Sequence, residues 1–196
     1  MAQTSTTLIS ARSHITSITG TDISLSATAG VYTISATSTV LTGAGKLAVG
    51  DLITVSGSAS NNSTFTVSTV VSTTELTVAE VVTSENADGS STITLDHVGF
   101  VSDKAKGDGY YSQPDGVHTV AYQVANDFNA DATIKMQGTL ATTPTEDDWF
   151  DVANTTFTAD GSTLTSSYNF TGNYVWVRSK TQLLTAGTTN SILLNS

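Results

Sequence analysis

The sequence predicts an all-β protein. Short runs alternate apolar and polar residues with the period of two that a half-buried strand requires, as at Ile53-Val55 and Phe65-Val67. Glycine- and aspartate-rich turns separate these runs at roughly ten-residue spacing, which is typical of a barrel or a sandwich. No stretch has a helical period. We therefore expect a small N-terminal β-barrel-like domain followed by a C-terminal antiparallel β-sandwich.

The elements follow in order along the chain. Residues 1–20 are polar with isolated apolar side chains, which predicts an extended arm or a first strand. Residues 21–98 form the barrel-like domain, because closure would remove the bare strand edges that a sheet with few charges defends poorly. The predicted strands of this domain are centred on Ile23-Leu25, Tyr32-Ile34, Val40, Ile53-Val55, Phe65-Val67, Leu76-Val78 and Ile93-Leu95.

Residues 99–118 predict a linker, because Gly107-Asp108-Gly109 and Pro114-Asp115-Gly116 are turn sequences. Alternation resumes in residues 119–196, the predicted sandwich. Both tryptophans, Trp149 and Trp176, lie in this segment and suit the interior of a two-sheet core.

Composition excludes several classes of function. The net charge of −10 and the pI near 4.3 disfavour nucleic-acid binding, because an acidic surface repels phosphates. The chain has no cysteine, so disulfides and thiolate metal sites are excluded. No apolar run has the length of a membrane helix, and the N-terminus lacks the pattern of a signal peptide. We expect neither a membrane nor a nucleic-acid partner.

No constellation predicts catalysis. The three histidines, His14, His97 and His118, are far apart in sequence and have no metal-ligand spacing. A G-x-S-x-G motif is absent, and a triad assembled freely from so many serines carries no information. The sequence therefore predicts a protein that is not an enzyme and has no cofactor.

The densest acidic patch is Glu146-Asp147-Asp148 with Asp151. These carboxylates could hold a calcium ion, contact a basic partner surface or pose as a glycosidase pair. The plainer interpretation is a solvated loop before Trp149, and it is the one favoured here.

Aromatic residues supply the candidate contact sites. Tyr174, Trp176 and Arg178 alternate with Val175 and Val177 in one predicted strand. If the valines face the core, an aromatic–cation stripe lies outside, where it could stack on sugars or contact a protein. If Trp176 is the core tryptophan, the valines face outward or into a second layer, and this second arrangement is favoured because sandwiches often centre on one Trp.

A second aromatic feature lies inside the predicted linker. The pair Tyr110-Tyr111 is unusual for such a segment. It either docks on a neighbouring domain or subunit, or packs on its own domain.

Two stretches resemble known modules. Residues 50–80, GDLITVSGSASNNSTFTVSTVVSTTELTVAE, resemble a small β module common in structural proteins of tailed phages, although Ser63 stands where Gly is usual. The segments GYYSQPDGVHTVAYQV, ATIKMQGTLATTPTEDDWFDV and YNFTGNYVWVRSKTQLLTAGTTNSILLN are similar to a sandwich module of tailed-phage virion proteins. The second similarity is notably to head, neck and tail accessory proteins of T4-like phages of cyanobacteria.

The resemblance implies a non-catalytic accessory virion protein, assembled in the host cytoplasm and then part of the particle. It would decorate the capsid or form part of the neck or tail through contacts with other virion proteins, as a homo-oligomer on the particle. The alternative is a tail-fibre-type adhesin or carbohydrate-binding module that contacts a host surface glycan through Tyr110, Tyr111, Tyr174, Trp176 or Arg178.

Overall fold

The computed structural model describes residues 5–112 and 116–195, and these residues are almost entirely β-structure. The described residues form seventeen strands, which are β1 (Ser5–Ile9), β2 (Arg12–Ser13), β3 (Ile18–Gly20), β4 (Ile23–Thr28), β5 (Val31–Ala36), β6 (Asp51–Ser56), β7 (Thr64–Ser72), β8 (Glu75–Val78), β9 (Ile93–Val101), β10 (Ala105–Lys106), β11 (Val117–Val124), β12 (Thr133–Thr139), β13 (Phe150–Asp151), β14 (Phe157–Thr158), β15 (Thr165–Thr171), β16 (Trp176–Gln182) and β17 (Thr188–Asn195). Two 3₁₀ helices, Asp108–Tyr111 and Glu146–Asp148, complete these elements. Nothing helical in the described residues has the length and apolarity needed to cross a membrane.

The strands belong to two compact units. The central unit is residues 15–100. The composite unit joins the chain before it, up to His14, to the chain after it, from Val101 onward. Every ladder described below is antiparallel, as the sequence predicts.

The central unit is one run of paired strands in the order β3-β9-β6-β7-β8-β5-β4. The predicted hairpin of residues 53–67 is confirmed, since Ile53 pairs with Phe65 and both are buried. Strand β7 pairs with β6 through its first residues and with β8 through the rest, so it bends from one part of the sheet into the other.

The expected barrel is not closed. Strands β3 and β4 lie at opposite ends of the strand order, and no ladder joins them within the described residues. Val40, predicted to be in a strand, lies outside the described strands and is about half exposed. Val40 is followed directly by the buried Leu41, so the apolar residues here do not alternate as a strand ladder requires.

An apolar core fills the central unit. Its buried side chains are Ile18, Ile23, Leu25, Ile34, Leu41, Leu47, Ile53, Val55, Phe65, Val67, Leu76, Val78, Val82, Ile93 and Leu95. Beside this core, the buried pair Asp51 and His97 joins β6 to β9, with 3.0 Å between Oδ1 and Nε2. His97 Nδ1 accepts a hydrogen bond from the Ile15 amide, so Nε2 carries the proton that is donated to Asp51.

A single carboxylate organises the long hairpin loop that follows β6. Glu85 accepts hydrogen bonds from Ser58 Oγ at 2.6 Å, from the Ala59 amide at 2.9 Å and from Asn61 Nδ2 at 3.2 Å. The Asn61 side chain also bonds both the amide and the carbonyl of Thr83, as a strand backbone would. This polar loop is therefore ordered by the Glu85 side chain and the Thr83 backbone, which both belong to a later segment.

Several exposed aspartates order turns in the same way. In the sequences Asp88-Gly89-Ser90-Ser91 and Asp160-Gly161-Ser162-Thr163, the aspartate accepts hydrogen bonds from the amides and hydroxyls that follow it. Asp22 does the same for Ser38 and Thr39 across a longer separation. Hydrogen bonds to the ionised form lower the pKa of each of these carboxyl groups.

The composite unit contains two sheets. The first has the order β1-β17-β11-β15, and β2 pairs with the first residues of β17. The second is built on β12 and β16, which pair along seven residues each, while β13 and β14 pair with β12, and β10 pairs with β16. Tyr122 on β11 is buried, donates a hydrogen bond to the Thr155 carbonyl and lies beside Phe157 of β14. Burial raises the pKa of Tyr122.

The units divide the chain at other residues than the predicted boundaries. Residues 5–9 are a strand that pairs with the last residues of β17, from Asn195 back to Ile192.

Residues 99–118, predicted as a linker, include the end of β9, all of β10, a 3₁₀ helix and the start of β11. Residues 113–115 of that segment lie outside the described residues. The glycine and aspartate residues of this segment allow close packing and form turns within one unit. A linker has a similar composition, so composition alone does not distinguish the two.

We predict that Glu85→Gln lowers the free energy of unfolding by about 1 kcal/mol near neutral pH, because charged hydrogen bonds become neutral ones. The hydrogen bonds from Ser58 and then Ala59 lower the folded-state pKa of Glu85 below its ordinary value of 4.5. This stabilisation is therefore complete above the ordinary pKa and is lost as pH falls through the folded-state pKa. Urea unfolding near neutral pH and in mild acid measures both effects.

Glu75→Gln is the control for this measurement, since Glu75 lies on β8 away from the loop. An equal loss of stability in the two variants would contradict the proposal that the ionised Glu85 carboxylate stabilises the loop. A loss for Glu85→Gln that persists unchanged in acid would contradict it as well.

Candidate functional site

Strand β16 settles which side chains of the aromatic stripe are inside. Val177 is fully buried, while Trp176 is only partly buried and lies on the opposite face of the strand with Arg178. The favoured prediction that Trp176 is the core tryptophan is therefore wrong. A strand with period two fixes two faces but not which one is inward, and here the smaller valine fits the interior.

Trp176 belongs to an exposed cluster that also contains Tyr110, Tyr111, Lys104 and Lys106, here called the aromatic–lysine patch. The Tyr110 ring lies 4.8 Å from the Trp176 ring and 5.2 Å from the Tyr111 ring. Lys104 Nζ lies 4.5 Å from the centre of the Trp176 ring, and Lys106 Nζ lies 4.1 Å from that of Tyr110. Tyr110 is 43% exposed and Tyr111 is 55% exposed, so the patch presents aromatic surface to solvent.

The patch is held by backbone and buried polar contacts. Strand β10 places Lys106 directly opposite Trp176. The 3₁₀ helix of Tyr110 and Tyr111 begins at Asp108, whose Oδ2 accepts a hydrogen bond from the Gly116 amide at 2.6 Å. The same oxygen lies 3.2 Å from Nε2 of the buried His118. The two tyrosines are therefore displayed on a fixed turn.

Arg178 is not part of the patch but is the partner of the acidic loop. Its guanidinium is buried and makes a two-pronged contact with Glu146, at 2.9 and 2.7 Å, while Nε donates to Gln137 at 3.0 Å. Trp149 covers the guanidinium, with 4.2 Å between Arg178 Cζ and the ring centre. The loop that was predicted to be merely solvated is anchored by this arginine.

The other acidic residues of the loop point to structural roles. Asp148 bonds the amide and hydroxyl of Thr145 and so caps its own 3₁₀ helix. Asp151 contacts Lys135 at 2.5 Å and Gln137 at 2.9 Å. Burial opposes the ionisation of Asp151, but the bonds from Lys135 and Gln137 outweigh it, and its pKa is lowered. Asp147 is exposed.

Glu146, Asp147, Asp148 and Asp151 do not form a cluster that could hold a metal ion. Within residues 5–112 and 116–195, no group of three or more histidine, aspartate or glutamate side chains is placed to hold a metal ion.

Four of the seven basic residues in the chain lie on one face of β10, β16 and β12: Lys106, Lys135, Arg178 and Lys180. A fifth, Lys104, directly precedes β10 and lies over the Trp176 ring on that face. Lys135 is directly opposite Lys180, and Gln137 is opposite Arg178. Burial, and then repulsion from Arg178 and Lys135, lowers the pKa of Lys180. Glu146 and Asp151 lie among these cations, so the face combines both charges in a chain that is otherwise strongly acidic.

Tyr174 is separated from Trp176 and packs against four glycines. A Cβ placed on Gly138 or Gly172 would come within 2.6 or 2.3 Å of the Tyr174 ring. A Cβ on Gly107 or Gly109 would come within 2.4 or 2.9 Å of the Tyr174 carbonyl oxygen. Only glycine fits at such distances, so Tyr174 is fixed on both its backbone and its ring.

Tyr174 also lines a groove in the composite unit. The groove has a volume of about 510 Å³ and is lined by Val117, Val152, Ala153, Asn154, Asn169, Phe170, Thr171 and Tyr174. Phe170 and Val152 are buried, whereas both asparagines are exposed. Sequence reasoning named Tyr174 but missed the groove. The local signal for this packing was the occurrence of glycine close to aromatic residues in GYY and TGNY.

The structure thus divides the predicted contact residues into three places. Tyr110, Tyr111 and Trp176 form the aromatic–lysine patch, Arg178 joins the acidic loop, and Tyr174 lines the groove. Comparisons of the sequence with protein-family models and with curated proteins found no match.

We predict that Glu146→Gln lowers the free energy of unfolding by about 1–3 kcal/mol, because the buried Arg178 loses its charged partner. Asp147→Asn is the matched control and should change stability by less than about 0.5 kcal/mol, since Asp147 is exposed. Chemical denaturation of the three proteins gives the comparison. Equal stability of Glu146→Gln and the parent protein would show that the Arg178 contact is not maintained in solution.

Proposed function

We propose that this protein is a non-catalytic accessory structural protein of a tailed-phage particle. It decorates the capsid or forms part of the neck or tail by contacts with other virion proteins. The proposal starts from the sequence resemblance of residues 50–80 and of the C-terminal segments. The observation that carries it further is the aromatic–lysine patch.

A fixed, exposed aromatic cluster suits a protein–protein contact. Tyrosine and tryptophan are enriched at the centres of interfaces, where they bury much area at little entropic cost. Tyr110 and Tyr111 sit on a turn tied to Asp108 and Gly116, so little order remains to be gained on binding. The adjacent Lys104 and Lys106 favour a partner with an acidic surface.

The contacts of the acidic loop support a role without catalysis. Glu146, Asp148 and Asp151 each have a partner that a stable fold needs: an arginine, a helix N-terminus and a lysine. A glycosidase pair would need two carboxyl groups turned toward one substrate.

The finer architecture belongs to the same proposal. We infer that the two sheets of the composite unit pack face to face as a β-sandwich, because Tyr122 of one contacts Phe157 of the other.

In the proposed setting the protein is made in the host cytoplasm and becomes part of the virion, where copies repeat under the symmetry of the particle as a homo-oligomer. Many copies allow each contact to be weak.

The proposal predicts that an antibody to this chain labels purified particles from an infected culture, as viewed by electron microscopy. Label over the head would support decoration of the capsid, and label confined to the neck or tail would support a connector. Particles that carry no label would overturn the virion role.

A phage carrying Tyr110→Ser with Tyr111→Ser should incorporate at least tenfold less of this chain into particles, because the contact loses its central aromatic area. Quantitative immunoblotting of purified particles measures the loss, and unfolding of the isolated variant checks its fold. Leu164→Ser removes a similarly exposed apolar side chain elsewhere in the composite unit and should leave incorporation unchanged. Normal incorporation of the double variant would exclude the patch as the anchoring contact.

A further inference from the structure

The groove beside Tyr174 combines a rigid aromatic wall with polar side chains that have hydrogen-bonding capacity to spare. Asn154 makes no side-chain hydrogen bond within the described part of the chain. Asn169 uses its Oδ1 to accept from Thr119 Oγ1 at 2.9 Å, which leaves the Nδ2 donors without a bond to any described residue. Two amides with spare hydrogen-bonding groups at one groove are suited to a polar ligand.

The lining also restricts the charge of the ligand. None of the eight described lining residues is charged, in a protein whose net charge is −10. An ionic ligand would find no counter-charge among them. Asparagine amides both donate and accept, as does the hydroxyl of Thr171, and a ligand rich in hydroxyl groups has the same dual character.

The apolar part of the groove is preorganised. The Tyr174 ring is held between Gly138 and Gly172, and it contacts Phe150 and Phe170 with ring centres 5.9 and 6.3 Å away. Because the ring cannot move far, little conformational entropy is lost when a ligand stacks against it. Aromatic rings of this kind pack well against the C–H faces of pyranose sugars.

The backbone of Asn154 is a further sign of a built site. Its φ of 60° lies in the left-handed region, which asparagine tolerates better than most residues. Asn154 lies three residues after the end of β13 and lines the groove in this conformation. The groove volume of about 510 Å³ is within the range of small-ligand sites.

We propose that this groove binds a neutral saccharide, with the sugar ring stacked in the groove that Tyr174 lines and its hydroxyl groups bonded to Asn154, Asn169 and Thr171. The groove and the aromatic–lysine patch share no described residue. Saccharide binding and the proposed virion contact are therefore tested with different variants, and either proposal can fail without the other.

The test is a titration of the full chain with neutral trisaccharides: maltotriose, cellotriose, mannotriose and triacetylchitotriose. Saturation-transfer NMR and calorimetry report binding, and trigalacturonic acid serves as the charged counterpart. We expect at least one neutral trisaccharide to bind with a Kd of about 1 mM or tighter, and the charged one to bind more weakly.

Two variants test the assignment of residues. Asn154→Gly removes the amide and keeps a backbone that glycine adopts freely, and Asn169→Ala removes the second amide. Each should weaken binding about tenfold, the loss expected for one good hydrogen bond. Asn190→Ala is the matched control, because Asn190 lies next to the Thr189–Val124 pair, at the opposite end of β11 from Val117. It should bind like the parent chain.

The proposal would be overturned by no binding of any neutral trisaccharide, by preferential binding of trigalacturonic acid, or by equal binding of the parent chain and both groove variants. The patch variant Tyr110→Ser with Tyr111→Ser should bind saccharide normally. If it did not, the sugar site would lie at the patch and the groove assignment would be wrong.

Discussion

The close packing of glycine around Tyr174 is the constraint on which both candidate surfaces depend. On one side, the Tyr174 carbonyl accepts the Gly109 amide at 2.8 Å and so holds the turn that displays Tyr110 and Tyr111. On the other, its ring fills the space that the missing side chains of Gly138 and Gly172 leave open. A methyl group at any of these positions would have to displace backbone or an aromatic ring, and close-packed interiors resist such shifts. One residue thus sets the position of the patch and one wall of the groove.

Acidic side chains have a second common role in this protein, which is to order loops. Asp22, Asp88, Asp148, Asp160 and Glu85 each accept hydrogen bonds from amides or hydroxyls of a turn. The abundant serine and threonine residues supply many of those hydroxyls. The low pI is therefore in part a consequence of turn chemistry and is not by itself a sign of a basic partner. These hydrogen bonds are stronger when the carboxylates are ionised, so they weaken together as pH falls through the lowered pKa values of these groups.

The basic residues are used differently, since most of them are gathered on one face of β10, β16 and β12. Arg178 is the buried member of this group, and its planar fork suits the two-pronged contact with Glu146. Lys104 and Lys106 are instead exposed over aromatic rings. The same face therefore contains the internal Arg178–Glu146 ion pair and the two exposed lysines, Lys104 and Lys106. Of these, only the two lysines are accessible to a partner protein.

The class of fold and much of the local structure could be predicted from the amino-acid sequence. Alternation at residues 53–55 and 65–67, with a glycine- and asparagine-rich turn between them, predicted the hairpin that the structure contains. Such a prediction is possible because successive side chains of a strand point to opposite faces, so a half-buried strand alternates apolar and polar residues. Local pattern also named most of the aromatic and acidic residues of the sites.

Tertiary structure alone decided what depends on distant partners. Residues 5–9 became a strand by pairing with residues 192–195, and Glu146 met Arg178 across 32 positions of sequence. Which face of β16 is inward, and hence that Val177 rather than Trp176 is buried, depended on how the strand packs against the rest of the composite unit. The groove exists only where separate segments meet around Tyr174. Periodicity describes a residue and its neighbours, whereas these features arise from close packing between segments that sequence order does not place together.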